Sequence, residues 1–315
     1  MADIDIRNGT LVPRRIDLPP TPSRFTRLAA FAANAWYELR KSKTGLIGFI
    51  MLVLLFGACI ATPVIATHDP VRQSYRERLA PPSQAHILGT DRLGRDIYSR
   101  VLWGARRLVM IAVLAVAFGL VIGVPYGVLA GYYGGAADKI SMRVVDGLLA
   151  FPGLLFYLLV ATLAREWKLE GIYNDLVLVF ALGFAFFPEV ARLSRGSVLA
   201  EKQKEYVEAS QATGESRLRI ALSQILPNIV SPLIVTATVR LGFVILIIAA
   251  LSFLGLGTQP PTPDWGSDLA SARDYMETAP LIAVFPGLAI CYTVLAFNLF
   301  GDGLRDILDP RIAER

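Results

Sequence analysis

Few side chains in this sequence could do chemistry, and they stand far apart. Arg240 is alone in the apolar run from Ile229 to Gly257. At about 1.5 Å per helical residue it lies roughly 16 Å along that run, near the middle of a bilayer, where a lipid-facing guanidinium is costly. Three readings are open for it. Its stem snorkels to an interface, it pairs with a carboxylate of a partner chain, or it lines an aqueous path and makes that path positive. The apolar runs hold no carboxylate well inside them, apart from Glu189 near a predicted helix end. His68 and His86 are 18 residues apart without a neighbouring Cys or carboxylate cluster, so no metal is expected there. Cys59 and Cys291 each sit inside an apolar run and read as small buried hydrophobes. No GxxxxGK[ST] string, nucleophile elbow or zinc signature occurs. The expectation is therefore a chain that is not an enzyme, with no catalytic residue, no metal and no cofactor of its own.

The densest polar chemistry is the stretch Glu205 to Asn228, EYVEASQATGESRLRIALSQILPN. Its side chains suit recognition by another molecule. Lys202 to Thr213 is rich in helix formers, with Tyr206, Val207, Ala209 and Ala212 as a small apolar stripe. Gly214 breaks the pattern and permits a tight, left-handed turn. Ser216 to Ile225 is helical again, with Leu218, Ala221, Leu222 and Ile225 on one face, and Pro227 stops it or starts the next element. Periodicity alone fits a docking elbow and an amphipathic loop resting on a membrane equally well.

These residues must be positioned by a membrane scaffold. The chain has 315 residues, 54% hydrophobic and 18% charged, with a positive mean hydropathy, too apolar for an ordinary soluble domain. The net charge of +5 is spread over several loops without an aromatic-rich basic patch, which argues against nucleic acid as a partner. Six apolar runs are long enough, or nearly so, to span. They are 45–66, 108–137, 147–164 with Pro152 inside, 176–188 extendable from Tyr173 to Ser194, 229–257 and 278–301. The second carries glycine at 119, 123, 127, 131 and 135. Gly119, Gly123 and Gly127 form a smooth stripe that lets another helix of the complex approach closely. Residues 1–44 read as a mostly disordered tail with an interfacial helix around Phe25 to Leu39.

Six spans with both termini in the cytoplasm put 19 Lys or Arg on the cytoplasmic side against 9 on the other, as the positive-inside rule asks. The expected organisation is an all-α integral membrane protein. It has a cytoplasmic tail (1–44), a first span (45–66), an extracytoplasmic loop (67–105), a core (106–302) containing a cytoplasmic loop (195–227), and a cytoplasmic C-terminal tail (303–315).

Glu208-Ala209-Ser210, then Gly214, then Leu226-Pro227 resembles the "EAA" loop of the permease subunits of bacterial ABC importers. Two positions depart from that pattern: Ser210 replaces the usual alanine and Gln224 the usual isoleucine. The blocks HILGTDRLGRDIYSRVLWGAR, AGYYGGAADKISMRVVDGLLAFP, LSFLGLGTQPPTPDWG and FPGLAICYTVLAFNLFGDGLRDILDPR extend the resemblance over roughly residues 40 to 312. They are similar to the C-type permease subunit of dipeptide and oligopeptide importers of the peptide/nickel family. The resemblance implies a type I importer fold, with one extra helix before a five-helix core, in the bacterial cytoplasmic (inner) membrane. It implies ATP-driven import of peptides, nickel, glutathione or another small solute. It also implies a second, homologous permease, two ATP-binding subunits that hold ATP and Mg, and an extracytoplasmic substrate-binding protein. On this reading Tyr206, Glu208, Ala209, Ser210 and Gly214 couple to an ATPase subunit, and Arg240 belongs to the translocation path. Many relatives carry an acidic residue where this chain has Ile247 and Ile248. A secondary transporter or channel is the rival of another class, and would offer intramembrane carboxylates or broken helices. A purely structural membrane anchor is a third reading, for which the glycine elbow would be unnecessary.

Overall fold

The structure, a computed structural model, describes residues 4–7, 10–13, 37, 39–169 and 171–308. The interfacial helix expected around Phe25 to Leu39 lies almost wholly outside them. Near the N-terminus, β1 (Ile4–Arg7) and β2 (Thr10–Pro13) pair antiparallel as a hairpin within the segment read as disordered. The remaining described elements are helices.

Helix α1 (Lys43–Ile65) begins where the Ser42 hydroxyl accepts the Gly45 N–H at 3.2 Å. Helix α2 (Ile97–Tyr133) is 37 residues long and starts at Asp96, whose carboxylate accepts the Ser99 N–H at 2.8 Å. It ends at Gly134, which has a φ of +66° that a side chain would resist. Its first turns lie inside the stretch read as outer loop. The arginines there are matched across the fold: Arg107 meets Asp175 at 2.6 Å, and Arg100 meets Asp268 at 2.5 Å. With partners in place, charged residues extend the helix instead of ending it.

The third predicted span, 147–164, is not one helix. Helices α3 (Gly135–Ala150) and α4 (Gly153–Glu166) meet at a bend of 76°. Pro152 stands at the break, where its missing N–H is not needed, and not inside a helix. Helix α5 (Ile172–Glu201) is longer than the apolar run that announced it, and Glu189 falls well within it. A short helix, α6 (Glu205–Ala212), leads through Gly214 to α7 (Arg217–Phe253). Pro227 does not interrupt α7. Residues Ile220–Ile225 form a π segment that carries the helix past it. After the proline-rich turn, α8 (Trp265–Ala272) dips between α7 and α9 (Leu281–Leu308).

Five of these helices, α1, α2, α5, α7 and α9, are long and apolar enough to cross a membrane, and the bent α3–α4 pair makes a sixth candidate. The longest interface joins α2 to α5, while α1 leans on α9. Ala112, Ala115, Leu182, Phe186 and Ile245 are fully buried, whereas Val53, Leu54, Ile60 and Val64 of α1 face outward. Such an exposed apolar belt is the surface a bilayer covers. Cys59 is buried as expected, but Cys291 is exposed on α9.

The glycine stripe faces α5 of this same chain. A methyl group on Gly119 would stand 2.7 Å from the Phe186 ring, and one on Gly123 would stand 2.7 Å from the Val190 side chain. On Gly127 it would fall onto the Ala191 carbonyl oxygen. The reciprocal glycine, Gly183, would place its methyl 2.5 Å from the Ala115 carbonyl oxygen. The two backbones therefore touch along three helical turns, and the packing partner lies within the subunit.

Candidate functional site

The elbow between α5 and α7 is built from a chain of polar contacts. Glu201 closes α5, and its carboxylate accepts from Lys204 Nζ at 2.9 Å and from the Tyr206 hydroxyl at 2.9 Å. Asn228 of α7 donates to that same hydroxyl at 3.0 Å. Tyr206 thus ties the end of one spanning helix to the start of the next. Ser210 donates to the Tyr206 carbonyl at 2.9 Å and faces Gln224 Oε1 at 2.8 Å. Gln224 in turn bonds Glu215. The two departures from the EAA pattern, Ser210 and Gln224, contact each other. Two apolar residues exchanged for a hydroxyl and an amide make one hydrogen-bonded pair.

At the turn, Gly214 has a φ of +77°, and Glu215 N–H returns to the Ser210 carbonyl at 3.2 Å. Space beside Gly214 is open, so conformation alone demands glycine there. Val207, Ala221 and Ile225 are buried and anchor the elbow. Glu208, Ala209, Leu218 and Leu222 are exposed on it. The stripe expected from periodicity is therefore split, half inward as anchor and half outward as a free surface.

A second site surrounds Arg240. Its Nη1 lies 3.3 Å from the Glu189 carboxylate of α5. Its guanidinium carbon is 4.9 Å from the Phe243 ring centre and 5.2 Å from that of Phe186. The buried Nε has no hydrogen-bond partner among the described residues. The carboxylate that Arg240 meets is in its own chain. Tyr157, Phe184, Glu189 and Arg240 help line a cavity of about 340 Å³ between α4 and α5, beside the α3–α4 break. Its walls are mostly apolar, with one cation and one half-exposed carboxylate. Such a pair presents both signs of charge to whatever enters. Ile247 and Ile248 are buried in the core.

The fold also gathers residues that the sequence leaves apart. The rings of His68 and His86 lie tilted against each other with centres 4.6 Å apart, although 18 residues separate them in the sequence. The motif HILGTDRLGRD brings this about. Asp91 accepts the Leu93 and Arg95 N–H groups at 2.8 and 2.9 Å and pairs with the buried Arg95 side chain, winding the loop back on itself. Asp96 then receives His86 Nδ1 at 2.9 Å. Burial works against the charge of Asp96, but its hydrogen bonds from Ser99 and His86 outweigh it and hold the carboxyl below the usual range. The signal available in the sequence was that the chain has only two histidines, one of them inside this motif.

Residues 123–314 match the family described as binding-protein-dependent transport system inner membrane component. Residues 31–82 match the N-terminal transmembrane domain of oligopeptide transport permease C. The chain is 41% identical to the di/tripeptide transport system permease protein DppC of Pseudomonas aeruginosa, over 88% of this chain and 91% of that one. It is 38% identical to the dipeptide transport system permease protein DppC of Haemophilus influenzae, over 95% and 99%. To the glutathione transport system permease protein GsiD of Pectobacterium atrosepticum it is 41% identical, over 88% and 90%. Among solved structures, an inward-facing form of the MetNI methionine ABC transporter superposes with a TM-score of 0.53 at 19% identity, covering 66% of this chain and 96% of that one, a likeness of fold alone.

Proposed function

Because this chain belongs to the family of binding-protein-dependent transport system inner membrane components, we propose that it forms half of the pathway of an ATP-driven importer of di- and oligopeptides. Glutathione, a tripeptide, falls in the same chemical class. On this reading ATP and Mg are bound by two separate ATPase subunits, a homologous permease completes the pathway, and an extracytoplasmic binding protein delivers substrate. The chain sits in the bacterial inner membrane with both termini cytoplasmic.

The observation that carries the reading is the continuity of α7. One helix runs from the elbow at Arg217, through the π segment, past Arg240 and on to Phe253. A push on the exposed face of Glu208 and Ala209, passed to α7 by the Ser210–Gln224 and Tyr206–Asn228 contacts, therefore reaches the cavity along one continuous helix. Peptides are zwitterions, and the Arg240–Glu189 pair offers a counter-charge to each end. A secondary transporter would use such a pair to couple an ion, but would have no use for a projecting elbow.

Cells lacking this chain should lose uptake of a labelled dipeptide and regain it with the gene restored; unchanged uptake would refute the peptide assignment. Single cysteines at 80 and 277 should react with an impermeant reagent from outside, and those at 139 and 210 only after lysis. Labelling at 210 in intact cells would sink the orientation.

The cavity pair gives a sharper test. Losing one charge-assisted contact is worth about 1.5–3 kcal/mol, or roughly tenfold or more. Arg240→Gln should weaken uptake of acidic peptides about tenfold, with a smaller effect on basic ones. Glu189→Gln should do the reverse. Equal losses for both peptide classes, with assembly matched, would assign the pair to structure alone.

A further inference from the structure

We propose that His68, His86 and Asp96 form a binding site for a divalent transition cation of the zinc type on the outer face of this chain. One ring nitrogen from each histidine and one carboxylate oxygen lie within 4.8 Å of one another. His86 Nδ1 is 2.9 Å and His68 Nδ1 is 3.8 Å from the same Asp96 oxygen. Ligands held at about 2.0–2.1 Å from a tetrahedral ion stand roughly 3.4 Å apart, so the two distances bracket the need and each changes by about half an ångström. Two imidazoles and one carboxylate suit zinc and its neighbours better than calcium or magnesium.

The surrounding groups are placed to support three ligands. The second Asp96 oxygen is held by the Ser99 N–H at 2.8 Å, with the Thr67 hydroxyl at 3.5 Å. His86 Nε2 faces the Glu77 carboxylate at 3.7 Å. With the ion on Nδ1, the single imidazole proton sits on Nε2, and the Glu77 carboxylate needs to approach by under an ångström to accept it, which would complete the carboxylate–histidine–metal arrangement that orients such ligands. The His68 backbone N–H is fixed by the Ser99 hydroxyl at 3.0 Å. His68 is the half-exposed member and opens onto a cavity of about 280 Å³ that Arg72 and Gln73 also line, leaving a fourth position for water or a donor from outside. An ion here would clamp the exit of α1 to the start of α2 through the intervening loop. The inference stands independently of the substrate.

The test is zinc binding to the full chain purified in detergent and stripped with chelator, by calorimetry and metal analysis. One Zn²⁺ per chain is expected at micromolar or lower concentration. His68→Ala should abolish the site, and Glu77→Gln, a positioning change, should weaken it about tenfold. Co²⁺ in place of Zn²⁺ should give the visible absorption of a four-coordinate ion in the unaltered chain and lose it in His68→Ala. His68→Gln serves if the alanine variant does not fold. Equal zinc content in the unaltered and His68 variant chains, or binding only at millimolar zinc, overturns the proposal.

Discussion

Gly214→Val is expected to lower peptide uptake, and the ATP hydrolysis that substrate stimulates, by tenfold or more, while the chain still inserts at its normal level. The turn holds a φ of +77°, a region that costs a β-branched residue about 1–3 kcal/mol. Nothing lies near the position that a side chain would occupy, so the penalty falls on the backbone alone. The chain avoids it by opening the turn, which breaks the return bond from Glu215 to Ser210 and swings Glu208 and Ala209 away from α7. Gly214→Asn is the matched control, because asparagine tolerates the left-handed region and should retain most activity. Uptake and stimulated hydrolysis in reconstituted vesicles read the outcome. Normal coupling in the valine variant would remove the elbow from the mechanism.

Gly123→Leu should instead destroy the folded subunit. Even a single methyl at this position meets Val190 at 2.7 Å and the Phe187 carbonyl at 2.9 Å. The carbonyl belongs to a helix and cannot rotate aside, so α2 and α5 must separate along their whole contact. Overpacking of this kind costs about 1–3 kcal/mol where side chains can adjust, and more where backbone blocks them. Most of the variant should elute as aggregate on size-exclusion chromatography, and any folded remainder should melt at a lower temperature. The same substitution at Gly147, which has open space around it, should leave the elution profile unchanged. If both variants behave alike, the stripe carries no packing.

The spacing of those glycines announced close approach but could not name the partner, because a small-residue stripe is the same whether its neighbour lies inside or outside the subunit. The long apolar runs of α1, α2 and α9 were legible for the simple reason that hydrocarbon demands them. The outer end of α2 was not, since Arg100 and Arg107 read as loop until Asp268 and Asp175 are brought beside them. Pro152 carries one sequence signal for two outcomes, a kink within a helix or a break between helices, and packing decided for the break. Gly214 could be read from local chemistry alone. The Arg240–Glu189 pair and the adjoining histidines could not, because each joins segments that only the tertiary fold brings together.

The bend at Pro152 has a consequence for the lipid. Helix α4 has 14 residues and so measures about 21 Å, against roughly 30 Å of hydrocarbon. Taken by itself α4 is about 9 Å short of that thickness, and its outward leucines, Leu154, Leu155 and Leu159, offer the bilayer only that shorter flank. Thinning lipid to match costs fractions of a kcal/mol for each ångström, a sum of several kcal/mol along this flank. A neighbouring subunit that covers α4 abolishes the mismatch without a single specific contact. Membrane thickness would then be a driving force for assembly, and a thicker bilayer should hold the pair together more tightly than a thin one.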